Sequence, residues 1–71
     1  MKYLIVVEKT DSGFSAYSPD LDGCVATGQS REEVEINMQE AIEFHLEGLK
    51  EAHQPIPRSE TEAYNILVAV R

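Results

Sequence analysis

Apolar residues fill consecutive positions from Tyr3 to Val7, between Lys2 on one side and Glu8 and Lys9 on the other. A run that is apolar on both faces of a strand predicts one covered on both sides and central in its sheet. The "TDSG" that follows supplies turn chemistry: Asp11 and Ser12 bond to local backbone, and Gly13 accepts conformations closed to other residues. A hairpin is expected there. "FSAYS" then sets Phe14 and Ala16 against Ser15, Tyr17 and Ser18, a period of two that predicts a second strand, and Pro19 ends it because proline cannot donate to a ladder. "CVATG" reads as a short third strand of small and β-branched residues, ended by Gly28.

The period changes after Ser30. Glu33 three residues later completes the pattern of a capping box, and the acidic first turn suits the positive end of a helix dipole. At about 100° per residue, Val34, Met38, Ala41, Ile42, His45, Leu49 and Ala52 form one apolar stripe, which predicts a helix docked on the sheet and ending near His53 or Gln54, before Pro55. "QPIPRSETEA" reads as a loop stiffened by two prolines. "YNILVAV" places Tyr64, Ile66, Val68 and Val70 on one face and Leu67 and Ala69 on the other, a last strand.

The expected fold is therefore α+β, a single domain over residues 1–71 in the order β-β-β-α-β. Three consecutive strands make a meander, and the helix crosses one face so that strand four lies parallel beside strand one. The result is a four-stranded mixed sheet of order 3-2-1-4, with strand one central and strand four an apolar edge. Such an edge is an aggregation hazard unless paired, and a chain of 71 residues builds only a small core. Both observations predict self-association, as a homodimer or a dimer of dimers.

Composition narrows the function. Six Lys and Arg against thirteen Asp and Glu give a formal net charge of −7, which repels phosphate backbones, so direct nucleic-acid binding is not expected. Glu32, Glu33, Glu35, Glu40, Glu43, Glu47 and Glu51 concentrate that charge on the predicted helix, as a solvated face or as a surface for a basic partner. No apolar run reaches the roughly 18 residues of a membrane span, and the opening apolar run is too short for a secretory signal, so a soluble cytoplasmic protein is expected.

Chemistry-bearing residues are few. Asp20 and Asp22 in "PDLDGC" lack calcium-loop spacing and read as turn formers. Cys24 is the single cysteine, with no partner for an internal disulfide, and as a small thiol at a strand start it reads as a packed apolar side chain. His45 lies in the apolar stripe and reads as structural; His53 is about 12 Å further along the helix, too far to share an ion with it. A β-β-β-α-β order also opens the ribonuclease H fold, whose nucleases need several carboxylates converging on two metals. Glu8 ends strand one, but residues 64–71 carry no acid. No catalytic, cofactor-binding or metal-binding residue is assigned, and the protein is not expected to be an enzyme.

The stretch "YSPDLDGCVATGQSREEVEINMQEAIEFHLEGLKEAHQPIP" resembles the HicB antitoxin family. The shared features are P-D-L-x-G-C after a strand, a short strand ending in T-G, a polar cap, a helix containing A-I, and a closing P-I-P. With "YLIVVEKTDSGFSAYSPD" the likeness spans nearly the whole chain. It implies a degraded, partial ribonuclease-H-like domain without enzyme activity that self-associates and binds a small basic HicA toxin. Such toxins resemble double-stranded-RNA-binding domains and cleave messenger RNA with a histidine, which the antitoxin covers. The alternative is an orphan binding module of the same fold without a toxin. Many family members continue into a ribbon-helix-helix or helix-turn-helix domain that binds an operator; this sequence ends at Arg71, and autorepression through a domain of its own is not expected. The family often has glycine where this chain reads "EAHQPIP", so Ala52 or His53 must end the helix without one.

Overall fold

A computed structural model describes residues 1–70. Three antiparallel strands, β1 (Val6–Lys9), β2 (Phe14–Tyr17) and β3 (Val25–Gly28), form a sheet of order β1-β2-β3, and one helix, α1 (Arg31–Glu51), packs on one face. The register aligns Val7 with Ala16 and Ala16 with Ala26, so these residues share the face that meets the helix. Tyr3, Ile5 and Phe14 pack on the same core, whose centre is Ala16, Leu21, Cys24, Val34 and Met38. The opposite face carries the aligned set Val6, Tyr17 and Val25, and no strand or helix among the described residues covers it.

The helix start follows the sequence with one change. Ser30 Oγ accepts from the Glu33 amide at 3.1 Å, while Glu33 Oε1 accepts from the amide of Gln29, one residue before the cap, at 3.2 Å. Gly28 brings β3 directly against this turn: a Cβ there would lie 2.6 Å from the Val34 nitrogen, so the strand-to-helix corner closes only on a glycine. Asn37 Nδ2 donates to the Thr27 carbonyl at 2.8 Å and ties the second turn of the helix to β3.

Only part of the apolar stripe is buried. Strands of four residues are about 13 Å long, whereas a helix of 21 residues is about 32 Å, so its second half must overhang the sheet. Val34 and Met38 are fully buried; Ala41, Ile42, His45 and Leu49 are half-buried and Ala52 is exposed. Leu46, outside the predicted stripe, packs on the core, while Leu49 does not. The contact follows the row Val34, Met38, Ile42, Leu46, spaced by four residues, which is inclined to the helix axis as side-chain ridges are.

The helix ends without glycine, as expected, and the device is specific. His53 takes the left-handed conformation at φ 55°, with its amide donating to Lys50 O at 3.1 Å and the Gln54 amide donating to Leu49 O at 2.9 Å. This is the Schellman pattern, built on a residue that pays the Cβ penalty.

The expected fourth strand is not formed within this chain. Residues 64–70 belong to no strand or helix and are exposed, so the sheet has three strands, its order is 1-2-3, and β1 lies at an edge instead of the centre. The physical reason is where the preceding loop is tied down. Tyr3 Oη donates to the Pro57 carbonyl at 2.5 Å, near the start of β1, and residues 60 and 61 are then held by Asp20 on the β2–β3 connection. That connection lies on the β2 side of β1, away from its free edge.

Candidate protein-interaction surfaces

The loop "SPDLDGC" is two consecutive tight turns. The Leu21 amide donates to Ser18 O and the Cys24 amide to Leu21 O, each at 3.1 Å, with Pro19 in the first turn and Gly23, at φ 75°, in the second. The turns drive Leu21 and Cys24 into the core. Ser18, the one buried polar residue among the described residues, is satisfied because its Oγ donates to Leu4 O at 3.0 Å. The turn reading of this loop holds.

Asp20 has a role that sequence reasoning missed. Its Oδ2 accepts from the amides of Glu60 and Thr61, each at 3.1 Å, and its Oδ1 from the Thr61 hydroxyl at 2.7 Å. These donors, led by the Thr61 hydroxyl, favour the charged carboxylate and hold the Asp20 pKa below its ordinary value. Asp22 is exposed on the turn. No local signal marks Asp20, because its partners are 40 and 41 residues away.

Cys24 and His45 line one shallow depression with Val25, Ala41, Phe44 and Leu49. Burial pushes the Cys24 thiol above its ordinary pKa, so the thiolate that nucleophilic chemistry requires is disfavoured. Glu8 lies on the bare sheet face opposite Ser15, away from the helix glutamates. Among the described residues no three His, Cys, Asp or Glu side chains gather as a metal site would require.

What the fold does assemble is surface. All seven helix glutamates are exposed. Ile36 and Phe44, 59% and 79% exposed, fall on the same outward face as Glu40, Glu43 and Glu47, because offsets of three, four and seven residues bring side chains together on a helix. Phe44 also borders the depression that reaches Val25 on the edge strand β3, itself 66% exposed. Phe44 and Val25 are nineteen positions apart in the sequence and come together only in the fold. On the other flank of the helix, Tyr3, Ile5, Met38, Ile42 and Leu46 line an open groove of about 380 Å³ against β1.

The comparisons with known proteins agree with this architecture. Residues 3–67 match the profile described as the HicB-like antitoxin of bacterial toxin-antitoxin systems. The chain belongs to that family. It is 34% identical over 67 residues to a UPF0150 protein of Thermoplasma acidophilum, covering 93% of this chain and 97% of that one. It is 41% identical over 59 residues to a UPF0150 protein of Synechocystis, covering 82% and 75%. An uncharacterised 14.9 kDa protein of Haemophilus phage HP1 is 39% identical over 59 residues; the match takes in 83% of this chain but only 44% of the phage protein. Among solved structures, a chain of a HicA3 and HicB3 toxin-antitoxin complex superposes with a TM-score of 0.73 at 35% identity, over 84% of this chain and 70% of that one. No helix of the described residues is long and apolar enough to cross a membrane.

Proposed function

We propose that this protein is a non-enzymatic antitoxin that binds a small basic HicA-type toxin and occludes its messenger-RNA-cleaving site in the cytoplasm. The observation that carries the reading is the family match, joined by the likeness to a chain of a toxin-antitoxin complex at 35% identity. The degraded ribonuclease-H-like origin of the domain and its lack of direct nucleic-acid binding belong to the same reading. Charge supports it independently: −7 overall, with the helix glutamates exposed on one element.

The surface divides the work of binding. Opposite charge steers encounter and raises the association rate, but it is screened by salt and holds a complex weakly. An apolar anchor must supply the slow dissociation, and Phe44 with Val25 and Ile36 is the exposed apolar group that lies against the glutamates. The test is binding kinetics with a basic HicA-type protein encoded beside this one. Raising salt from about 0.05 to 0.5 M should slow association far more than it changes dissociation. Changing Glu40, Glu43 and Glu47 together to glutamine should reproduce the slow association, whereas Phe44→Ala should speed dissociation, both with an unchanged circular dichroism spectrum. A toxin that stays active at saturating antitoxin, or that fails to bind at low salt, overturns the reading in favour of an orphan binding module.

A further inference from the structure

The chain carries two unmatched halves of one sheet. One half is the free edge of β1. Residues 3–7 have the pattern of a central strand, with Tyr3, Ile5 and Val7 facing the helix and Leu4 and Val6 alternating to the other face, yet hydrogen bonds run on the β2 side only. Beside that edge, toward the helix, lies the groove lined by Tyr3, Ile5, Met38, Ile42 and Leu46. The other half is the segment 64–70. It has the period and composition of a strand, contains no charged residue, and pairs with nothing; Ile66 is 81% exposed and Leu67 fully so.

We infer that residues 64–70 of one copy add as a fourth strand to the β1 edge of a second copy, with the exchange made reciprocally about a two-fold axis. Three observations select a second copy as the occupant. Each molecule bears both halves, so two molecules satisfy each other completely and the assembly closes. The Asp20 carboxylate holds Glu60 and Thr61 on the β2–β3 connection, so the segment starts from the β2 side of its own β1, away from the free β1 edge. The two segments that would pair, residues 3–7 and 64–70, carry no charged side chain, so two chains of net charge −7 meet along uncharged strands, with Glu35 and Glu43 the acidic residues of the adjoining groove. The area also suffices. At the roughly 60–120 Å² implied for each buried aliphatic side chain, the exposed large apolar residues of two tails supply on the order of 1,000 Å² before the β1 edges are counted, close to the range of stable interfaces. Exchange would place β1 at the centre of a four-stranded sheet and fill the groove with side chains from one face of the tail. This inference does not depend on the toxin reading, since it concerns the chain alone.

The experiment uses the full chain. Sedimentation at micromolar concentration should give a dimer, and isotope-filtered NOE spectra of a mixed sample, half carbon-13-labelled and half unlabelled, should show intermolecular contacts between residues 2–7 and 65–70. Successive amides of a strand point to opposite edges, so one of Leu67→Pro and Val68→Pro must remove a donor aimed at β1. At least one of them should weaken dimerisation tenfold or more, with the helical circular dichroism signal retained because residues 67 and 68 are exposed and lie outside the sheet and the helix of their own chain. A monomer at high micromolar concentration, contacts between these segments within one molecule only, or a dimer that survives both proline variants overturns the inference.

Discussion

The runs Tyr3–Val7 and Tyr64–Val70 are near equivalents in sequence: both are uncharged, rich in Val, Ile and Leu, and opened by tyrosine. Their fates differ. The first enters a sheet, its backbone bonded to β2 and its inward side chains on the core; the second is exposed along its length. Strand propensity is therefore the same property in both, and the difference lies in what stands beside each. The first is followed by the Thr10–Gly13 turn, where the Thr10 amide donates to Gly13 O at 2.8 Å and returns the chain to pair with it. The second follows a long proline-containing loop whose end is tied to Asp20, on the β2–β3 connection and not beside the free edge of β1. A local turn brings its partner automatically, whereas a distant edge must be reached.

The largest effect that sharpens this contrast comes from trimming one side chain on each side of it. Met38→Ala, at a fully buried position on the core under the first run, should cost about 2–5 kcal/mol and leave much of so small a domain unfolded. Leu67→Ala, at a fully exposed position, should change the stability of the dilute monomer by less than about 0.5 kcal/mol. Urea unfolding of both variants, at concentrations where sedimentation shows monomer, measures the pair. Equal losses would mean that residues 64–70 are part of the same folded body.

A smaller effect is expected at the junction between the two regions. His53 holds a left-handed conformation that costs a side chain energy and glycine none. His53→Gly should therefore stabilise the domain by about 0.5–1 kcal/mol, seen as a rise in Tm of about 4 °C, because the relieved strain outweighs the added freedom of the unfolded chain. A fall in Tm would show that the histidine side chain is needed for more than its backbone.

The smallest effect concerns the tether. The Asp20 pKa is lowered in the folded chain, so the carboxylate's hold on Thr61 is fully present above the ordinary value of 3.8 and is lost as pH falls through the lowered one. The amide resonance of Thr61 should stay constant from neutral pH down to about 4 and move below it, toward the position it has in Asp20→Asn at pH 7. A Thr61 amide indifferent to both changes would remove the tether as the reason why the two runs part company.

Local order was legible from the residues. The hairpin at Thr10–Gly13, the double turn through Pro19 and Gly23, the Ser30 cap and the start of the helix each depend on groups a few residues apart, whose chemistry decides the conformation before any distant contact forms. The family resemblance rested on the same short stretches. Helix burial was legible only in its first half, because periodicity defines a stripe but not the length of the surface beneath it. Four-residue strands leave the stripe off the core beyond Ile42 and turn the contact onto Leu46. Tertiary structure alone decided the rest. It joined Phe44 to Val25, gave Asp20 partners forty residues away, and left β1 at an edge with its matching strand unpaired. Residues 64–70 have the period and composition of a strand, but whether they pair depends on where the preceding loop is fastened, and that position exists only once the sheet has formed.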